Sequence, residues 1–455
     1  MNQIILHNLK CHLISIGILF IAINLGLISQ SFAAETSKKQ PNIIYIISDD
    51  QAWTDYSFMG HPYIRTPNID RLSRQSLLFK NGYVTTSLCS PSLATIITGL
   101  YPSQHKITGN EPPSPLNEDG KRLPRGKAFY DGRIEMDDII KGTETLPKML
   151  RRHGYRSFQT GKWWHGSYKL AGFDGGMTHG DPLRGGRHGD VGLEIGRKGL
   201  NPIFDFIEKE SDKPFFVWYA PFLPHTPHNP PKRLLEKYAK SAPSLSIAKY
   251  WAMCEWFDET CGELIQYLDK NGLREDTVIM YVTDNGWINQ KNASRYAKKS
   301  KRSPYDGGLR TPIMINWKGK IKPTVAPDLA SSIDLVPTTL KLIGAEKPER
   351  LMGVDLLDKN QRSNRNTIFG AIYLHDANSI HDPRENLTHW WARNNQWKLI
   401  IQGNLDNAKS LTGIELYKMH TDPMETVNLA SYETMGIIHK LTSSIISWWG
   451  ETYLR

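Results

Sequence analysis

Four short strand-like runs, three of them almost continuously apolar, each end in a cluster of polar or charged residues. Asn42 to Ser48 (Asn-Ile-Ile-Tyr-Ile-Ile-Ser) runs into Asp49-Asp50, and Tyr155 to Thr160 into Gly161-Lys162-Trp163-Trp164-His165. Pro214 to Ala220 leads to Pro224-His225-Thr226-Pro227-His228, and Thr277 to Thr283 to Asp284-Asn285-Gly286. Runs of this kind suit strands buried on both faces, as in a parallel sheet covered by helices. Amphipathic stretches at Leu146 to His153, Asn201 to Ser211 and Ser246 to Asn271 predict the helices. The pattern is that of an α/β fold, whose ligands sit beyond the carboxyl ends of the strands. The strands would then deliver carboxylates, an amide, a lysine and histidines to one sheet edge.

The N-terminus bears on compartment. Leu13 to Ile28 is almost continuously apolar, preceded by Lys10 and followed by Ser-Gln-Ser-Phe-Ala-Ala at Ser29 to Ala34. That reads as a secretory signal peptide over residues 1–34, cleaved near Ala33 or Ala34. The run is short for a membrane span, and no comparable run follows, so no transmembrane segment is expected after cleavage. A secreted or periplasmic protein results. The net charge of +10 favours anionic partners. Export argues against nucleic acid and for anionic glycans.

Asp49, Asp50, Asp284 and Asn285 form an all-oxygen set, which favours Ca²⁺ or Mg²⁺ over zinc. Around it, Lys162, His165, His225 and Lys301 supply positive charge and proton-transfer capacity. A cation ringed by acids and bases describes a site for a phosphate or sulfate ester. Between the first two clusters lies Ser87-Leu88-Cys89-Ser90-Pro91-Ser92-Leu93, leading to Gly99. It predicts a helix with Cys89 just before its first turn. A helix N-terminus lowers a thiol pKa; the alternative is a small buried cysteine.

These elements together resemble the type I sulfatases of the alkaline phosphatase superfamily. The resemblance is carried by Asp49-Asp50, Thr66-Pro67-Asn68-Ile69-Asp70, Cys89-Ser90-Pro91-Ser92 and Thr98-Gly99-Leu100-Tyr101-Pro102. It continues through Thr160-Gly161-Lys162-Trp163, Pro224-His225-Thr226-Pro227, Thr283-Asp284-Asn285-Gly286 and Tyr305-Asp306-Gly307-Gly308-Leu309-Arg310-Thr311-Pro312. Glu415-Leu416-Tyr417 and Asp422-Pro423-Met424-Glu425 complete the ordered set. The resemblance implies that a maturation enzyme oxidises Cys89 to formylglycine, whose hydrate attacks sulfur. It implies one Ca²⁺ held by Asp49, Asp50, Asp284 and Asn285 next to residue 89. It assigns the sulfate oxygens and the leaving group to Lys162, His225 and Lys301, and regeneration of the aldehyde to a histidine near Lys162. The substrate would be a sulfated glycan.

Two departures matter. The family's signal is Cys-x-Pro-x-Arg, and Leu93 stands where the arginine belongs, with nothing to donate to the maturation machinery or the formylglycine. The family's Gly-Lys-Trp-His becomes Gly161-Lys162-Trp163-Trp164-His165, so either a local bulge restores His165 or Trp164 takes its slot. Three readings therefore stand: an active sulfatase, an esterase or phosphodiesterase using unmodified Cys89 or a metal-bound water, and a non-catalytic glycan-binding protein.

On the substrate side, Glu111 to Asp138 and Gly166 to Gly199 are expected to be long loops, with Arg184, Arg187 and His188 as candidates to meet acidic sugars. Trp163, Trp164 and Trp287 are candidates to stack on sugar rings; His228 and Arg310 are further substrate candidates. A catalytic α/β domain over 35–344 would give way near residue 345 to a subdomain over 345–455. The resemblance makes that subdomain a four-stranded antiparallel sheet, and Ile437 to Trp449 is its amphipathic packing helix. Cys11 leaves with the signal, and Cys254 and Cys261, seven apart on one predicted helix, are too far apart for a bridge.

Overall fold

The computed structural model describes residues 40–114, 125–181, 184–186, 188–210 and 212–454; the expected signal segment, Cys11 and Arg187 lie outside the described residues. Its main sheet is built from β1 (Asn42–Ser48), β2 (Leu77–Tyr83), β3 (Arg156–Gly161), β4 (Gly175–Gly176), β5 (Phe215–Ala220), β6 (Thr277–Thr283), β7 (Arg310–Trp317), β8 (Thr324–Ala326) and β9 (Ala330–Ser331). The order is β4-β3-β5-β1-β6-β7-β2-β8, with β9 beside β2. β3, β5, β1 and β6 are adjacent and parallel. β7 runs antiparallel to both β6 and β2, so the sheet is mixed and mostly parallel.

The unbroken apolar runs follow from burial of both faces. Successive side chains of a strand point to opposite faces. Ile43, Tyr45 and Ile47 of β1 enter one core with α2 (Cys89–Thr98), α4 (Leu146–Arg151) and α7 (Leu335–Leu342). Ile44 and Ile46 enter the other with α1 (Pro67–Arg74), α5 (Asn201–Lys209) and α6 (Leu245–Lys270). Each such side chain contributes about 1.5–3 kcal/mol of burial. On β1 the polar residues are confined to its ends, Asn42 and Ser48.

One loop expectation is corrected. α3 (Lys127–Gly142) is a helix that takes up the C-terminal part of the stretch read as loop from Glu111 to Asp138 and runs past its end. Few of its residues are buried, Phe129, Gly132, Arg133 and Ile140 among them, so its apolar stripe is too thin to register as a period.

A second sheet, β10 (Thr367–Tyr373), β11 (Leu387–Asn394), β12 (Trp397–Gln402) and β13 (Ile414–Lys418), is antiparallel throughout in that order. One face packs on Ile438, Leu441, Ile445 and Trp448 of α8 (Met435–Leu454). Among the described residues, no helix is long and apolar enough to cross a membrane.

Candidate active site

The parallel neighbours β3, β5, β1 and β6 end at one edge, so Lys162, His225, Asp49-Asp50 and Asp284-Asn285 converge there from four adjacent strands. Gly161 makes this possible on β3. Its φ of +77° is left-handed, and a Cβ would lie 1.8 Å from the Ala220 carbonyl oxygen. That close approach lets the Lys162 amide donate to Ala220 at 2.6 Å.

Asp49, Asp50 and Asp284 are fully buried and offer one oxygen each within 4.8 Å of one another; Asp50, Cys89 and His225 form a second such group. Lys162 donates to Asp49 Oδ1, and to Asp284 Oδ2 at 2.9 Å. Lys301 donates to both oxygens of Asp50, at 2.6 and 2.8 Å. Asn285 Nδ2 donates to Asp50 Oδ1 at 2.6 Å, and the Asp50 amide donates to Asp284 Oδ1 at 3.2 Å. Asp50 itself sits in left-handed backbone at φ +62°.

Lys301 reaches the site from a loop pressed against the turn at Gly307-Gly308, where Cβ atoms would lie 2.2 Å from the Lys299 and Ser300 carbonyls. The same loop is tied to the segment before Cys89: Ser87 Oγ donates to the Ser303 carbonyl at 2.7 Å, and the Arg302 amide to the Ser87 carbonyl at 2.8 Å. From the next turn of α2, Ser92 Oγ donates to the Asp284 carbonyl at 2.5 Å. The helix carrying Cys89 is thereby bolted to the strand end carrying Asp284-Asn285.

The electrostatics decide what the site lacks. With all three carboxyls ionised, as oxygen ligation of a cation requires, three carboxylates against two ammonium groups leave one net negative charge in a buried cluster. Burial pushes Asp49 well above the usual carboxylate range, though Lys162 pulls the other way. Burial acts on Asp50 too, but Lys301, His225 and Lys162 outweigh it and hold its carboxyl below that range. Both lysines are held above the ordinary lysine range because their carboxylate partners overcome burial. Asp49 Oδ2 and Asn285 Oδ1 are buried acceptors with no partner among the described residues. Orphaned acceptors of this kind in a net negative pocket fit a hard divalent cation bound through oxygen.

Cys89 is the first residue of α2 and is buried. Burial raises its thiol, outweighing Lys162 and Lys301. The expectation of a lowered thiol pKa is therefore corrected: desolvation exceeds what the helix start and the two lysines supply. Cys254 and Cys261 are buried and free. Leu93 lies wholly in the apolar core.

His225 donates from Nδ1 to the Thr226 carbonyl at 2.7 Å and turns Nε2 to within 3.3 Å of Asp50 Oδ2. Burial drives it well below the usual imidazole range, against the pull of Asp50. His165 is buried beside Trp163, ring centroids 5.0 Å apart, and bonds the Ser90 backbone. Its Nε2 has no partner among the described residues, and burial lowers it to about 3. Trp164 turns aside to meet His188, with ring centroids 4.4 Å apart.

The aromatic and arginine candidates are revised. Trp163 is 1% exposed and packs edge-on against Phe173 and Trp218, a core residue with no face for a sugar. Trp164 and Trp287 are also buried, Trp287 between His228 and Tyr296 with Lys301 Nζ 5.7 Å from its ring centroid. His228 is buried, its Nδ1 without a partner among the described residues. Arg310 is spent on β2, donating to the Lys80 carbonyl and to Asn81 and lying 4.0 Å over Trp53. Arg184 is exposed.

Arg197 was not singled out from sequence. It donates to the carbonyls of Phe222 at 2.7 Å and His225 at 3.2 Å, clamping the loop that carries His225. Its contacts come from 25 to 28 residues away, so no local pattern marks it.

The sulfatase family profile matches residues 41–345, and the profile of the C-terminal region of N-sulphoglucosamine sulphohydrolase matches residues 296–448. N-acetylgalactosamine-6-sulfatase of Canis lupus familiaris is 25% identical over 92% of this chain and 87% of its own length. Human arylsulfatase A is 26% identical over 86% of this chain and 83% of its own. A crystal structure in complex with k-i-k-neocarrahexaose superposes with a TM-score of 0.70 at 22% identity, covering 91% of this chain and 94% of the other. With a family profile spanning about two thirds of its length, the chain belongs to the sulfatase family.

Proposed function

We propose that this sulfatase is an exported enzyme that removes sulfate from a sulfated carbohydrate, using Ca²⁺ and a Cys89 converted to formylglycine by a maturation enzyme. The observation that carries the reading is the charge balance at the sheet edge. A divalent cation added to three carboxylates and two lysines leaves one net positive charge, the complement of a sulfate ester monoanion. Asp49, Asp50, Asp284 and Asn285 would hold the cation, with Cys89 beside it. Bound there, calcium would supply fixed positive charge for the sulfate oxygens.

The chain's own groups then have distinct roles. Formylglycine at residue 89 would supply, through its hydrate, the oxygen nucleophile that a buried thiol with a raised pKa does not offer. Lys162 and Lys301 would orient the sulfate and offset charge as it develops. His225 Nε2, the ring nitrogen that faces the carboxylate set, would have to take up a proton before passing it to the leaving oxygen. His165, with Nδ1 engaged at Ser90, leaves Nε2 as a base beside the residue 89 turn. Trp163, Trp164 and Arg310 serve packing in this proposal, and His228 and Trp287 stay as candidate substrate contacts.

A carbohydrate substrate is supported by relatives named for N-acetylgalactosamine sulfate and by a fold relative crystallised with neocarrahexaose. A division near residue 345 is supported by the change from the mixed sheet, whose described strands end at Ser331, to the separate antiparallel sheet that starts at Thr367. Sulfate release from a panel of sulfated mono- and oligosaccharides, run beside an aryl sulfate, tests the reading. Release from at least one sugar is expected. Tight binding of sulfated sugars without release would instead support a glycan-binding protein, and hydrolysis of phosphate diesters alone would support the esterase reading.

A further inference from the structure

The helix that presents Cys89 starts without a local cap. Its N-cap residue is Leu88, which has no side-chain acceptor, and Leu93 one turn on is packed in the apolar core. A buried first-turn amide needs an acceptor from elsewhere. It finds one 20 residues along the chain: the Ser90 amide donates to Asn110 Oδ1 at 3.0 Å.

Asn110 is itself held by the loop between β10 and β11. Its amide donates to the His375 carbonyl at 2.8 Å, and the Ala377 amide returns to the Glu111 carbonyl at 2.9 Å. Asn110 Nδ2 lies 3.3 Å from His375 Nε2, and His375 Nδ1 lies 2.5 Å from Asp376 Oδ1. These bonds admit one consistent proton arrangement. Because Asn110 Oδ1 accepts from Ser90, its Nδ2 side can only donate, so His375 Nε2 accepts. The ring proton then sits on Nδ1 and is donated to Asp376. The Asp376 carboxylate is 5% exposed.

We infer that Asn110, His375 and Asp376 form a positioning relay, in which the loop after β10 fixes the tautomer and amide orientation that cap the Cys89 helix. The three are positioning residues, since none is shown touching the sulfate pocket. Their effect on rate rests on the proposed role of residue 89, whereas the cap itself does not.

The test compares Asn110→Leu, Asn110→Asp, His375→Ala and His375→Gln in the full-length exported protein. Hydrogen exchange at the Ser90 amide, thermal midpoint, and kcat and KM on an aryl sulfate are measured for each. Asn110→Leu and His375→Ala are expected to speed Ser90 exchange and lower kcat on the order of 10- to 100-fold, as misplacement of a reacting group does. KM should stay within about threefold, the mark of a transition-state effect. Asn110→Asp keeps the acceptor for Ser90, and His375→Gln keeps an acceptor for Asn110, so both should recover most of the rate. The double variant Asn110→Leu/His375→Ala should be no worse than Asn110→Leu, because the residues act in series. Unchanged Ser90 exchange overturns the inference. So does a rise in KM at constant kcat, or a kcat loss in all four variants that tracks the thermal midpoint. If the wild-type protein releases no sulfate, the proposed function fails and the exchange measurement alone decides the relay.

Discussion

Replacing Asp284 by asparagine removes one of the three carboxylates that face Lys162 and Lys301 while keeping the side-chain shape. Asp284 Oδ1 accepts the amides of Asp50 and Asn285, and asparagine can keep both bonds. The charge-assisted bond from Lys162 to Oδ2 is lost, because the asparagine NH2 at that position donates and cannot accept; Lys162 keeps its bond to Asp49. Without a cation the buried set becomes formally neutral, which offsets part of that loss; the variant's own midpoint in chelator is therefore its reference. With a cation the loss is large, because the pocket no longer carries the negative charge that balances it. The size follows from linkage: calcium at 100 times its dissociation constant adds about 2.7 kcal/mol of stability. At about 2.1 cal/mol/K of unfolding entropy per residue, the compact unit Pro41–Arg455 unfolds with about 0.9 kcal/mol/K. Calcium should therefore raise the wild-type midpoint by about 3 °C. The same addition should leave the Asp284→Asn midpoint where it is in chelator. Scanning fluorimetry in EGTA and then in a calcium series reads both proteins. An equal calcium shift in the two proteins, or none in wild type, would refute the reasoning.

Three other outcomes follow from the same geometry. Lys301→Met leaves Asp50 with Asn285 and His225 only; we expect a loss of about 3 kcal/mol in urea unfolding and a 10²- to 10³-fold fall in kcat/KM, each about what a buried ion pair or an oxyanion donor supplies. Gly161→Ala adds a Cβ into the Ala220 carbonyl at positive φ; it should destabilise by more than the roughly 1–2 kcal/mol of left-handed backbone alone and lower kcat through Lys162, seen by calorimetry beside kinetics. Burial raises Asp258 to about 7, although the Asn68 and Ile69 amides at the start of α1 pull it down. Its folded form holds a proton the unfolded chain has lost, so its stabilising share is complete below about pH 4 and disappears as pH rises towards 7; Asp258→Asn should flatten that stretch of the midpoint-versus-pH curve.

Where both faces of a strand are buried, the sequence is explicit. β1 and β6 occupy Asn42–Ser48 and Thr277–Thr283, the same bounds the apolar runs suggest, because between their polar end residues every position is apolar and buried. β2 escaped notice because Lys80-Asn81-Gly82 interrupts its run, where the register with β7 shifts between Phe79 and Gly82. Asp49-Asp50, Lys162 and Asp284-Asn285 were legible because each follows a strand end directly, whereas Lys301 arrives on the loop before Gly307-Gly308 and was reached only through the resemblance. The tryptophans misled, since aromatic residues next to a site look alike whether they face a ligand or, like Trp163, the core. Arg197 and the Asn110–His375 pair had no local signal at all: the latter meet across 265 positions, and only the folded chain joins them.

The central claim concerns the chemical state of residue 89 in an active protein. The direct test is peptide mass spectrometry across Ser87 to Thr98, on protein exported by a host with its maturation enzyme, with sulfate release measured on the same sample. The account predicts that the aldehyde mass at residue 89 is present and that its fraction scales with specific activity between preparations. A fully active preparation carrying only the unmodified Cys89 thiol would contradict it.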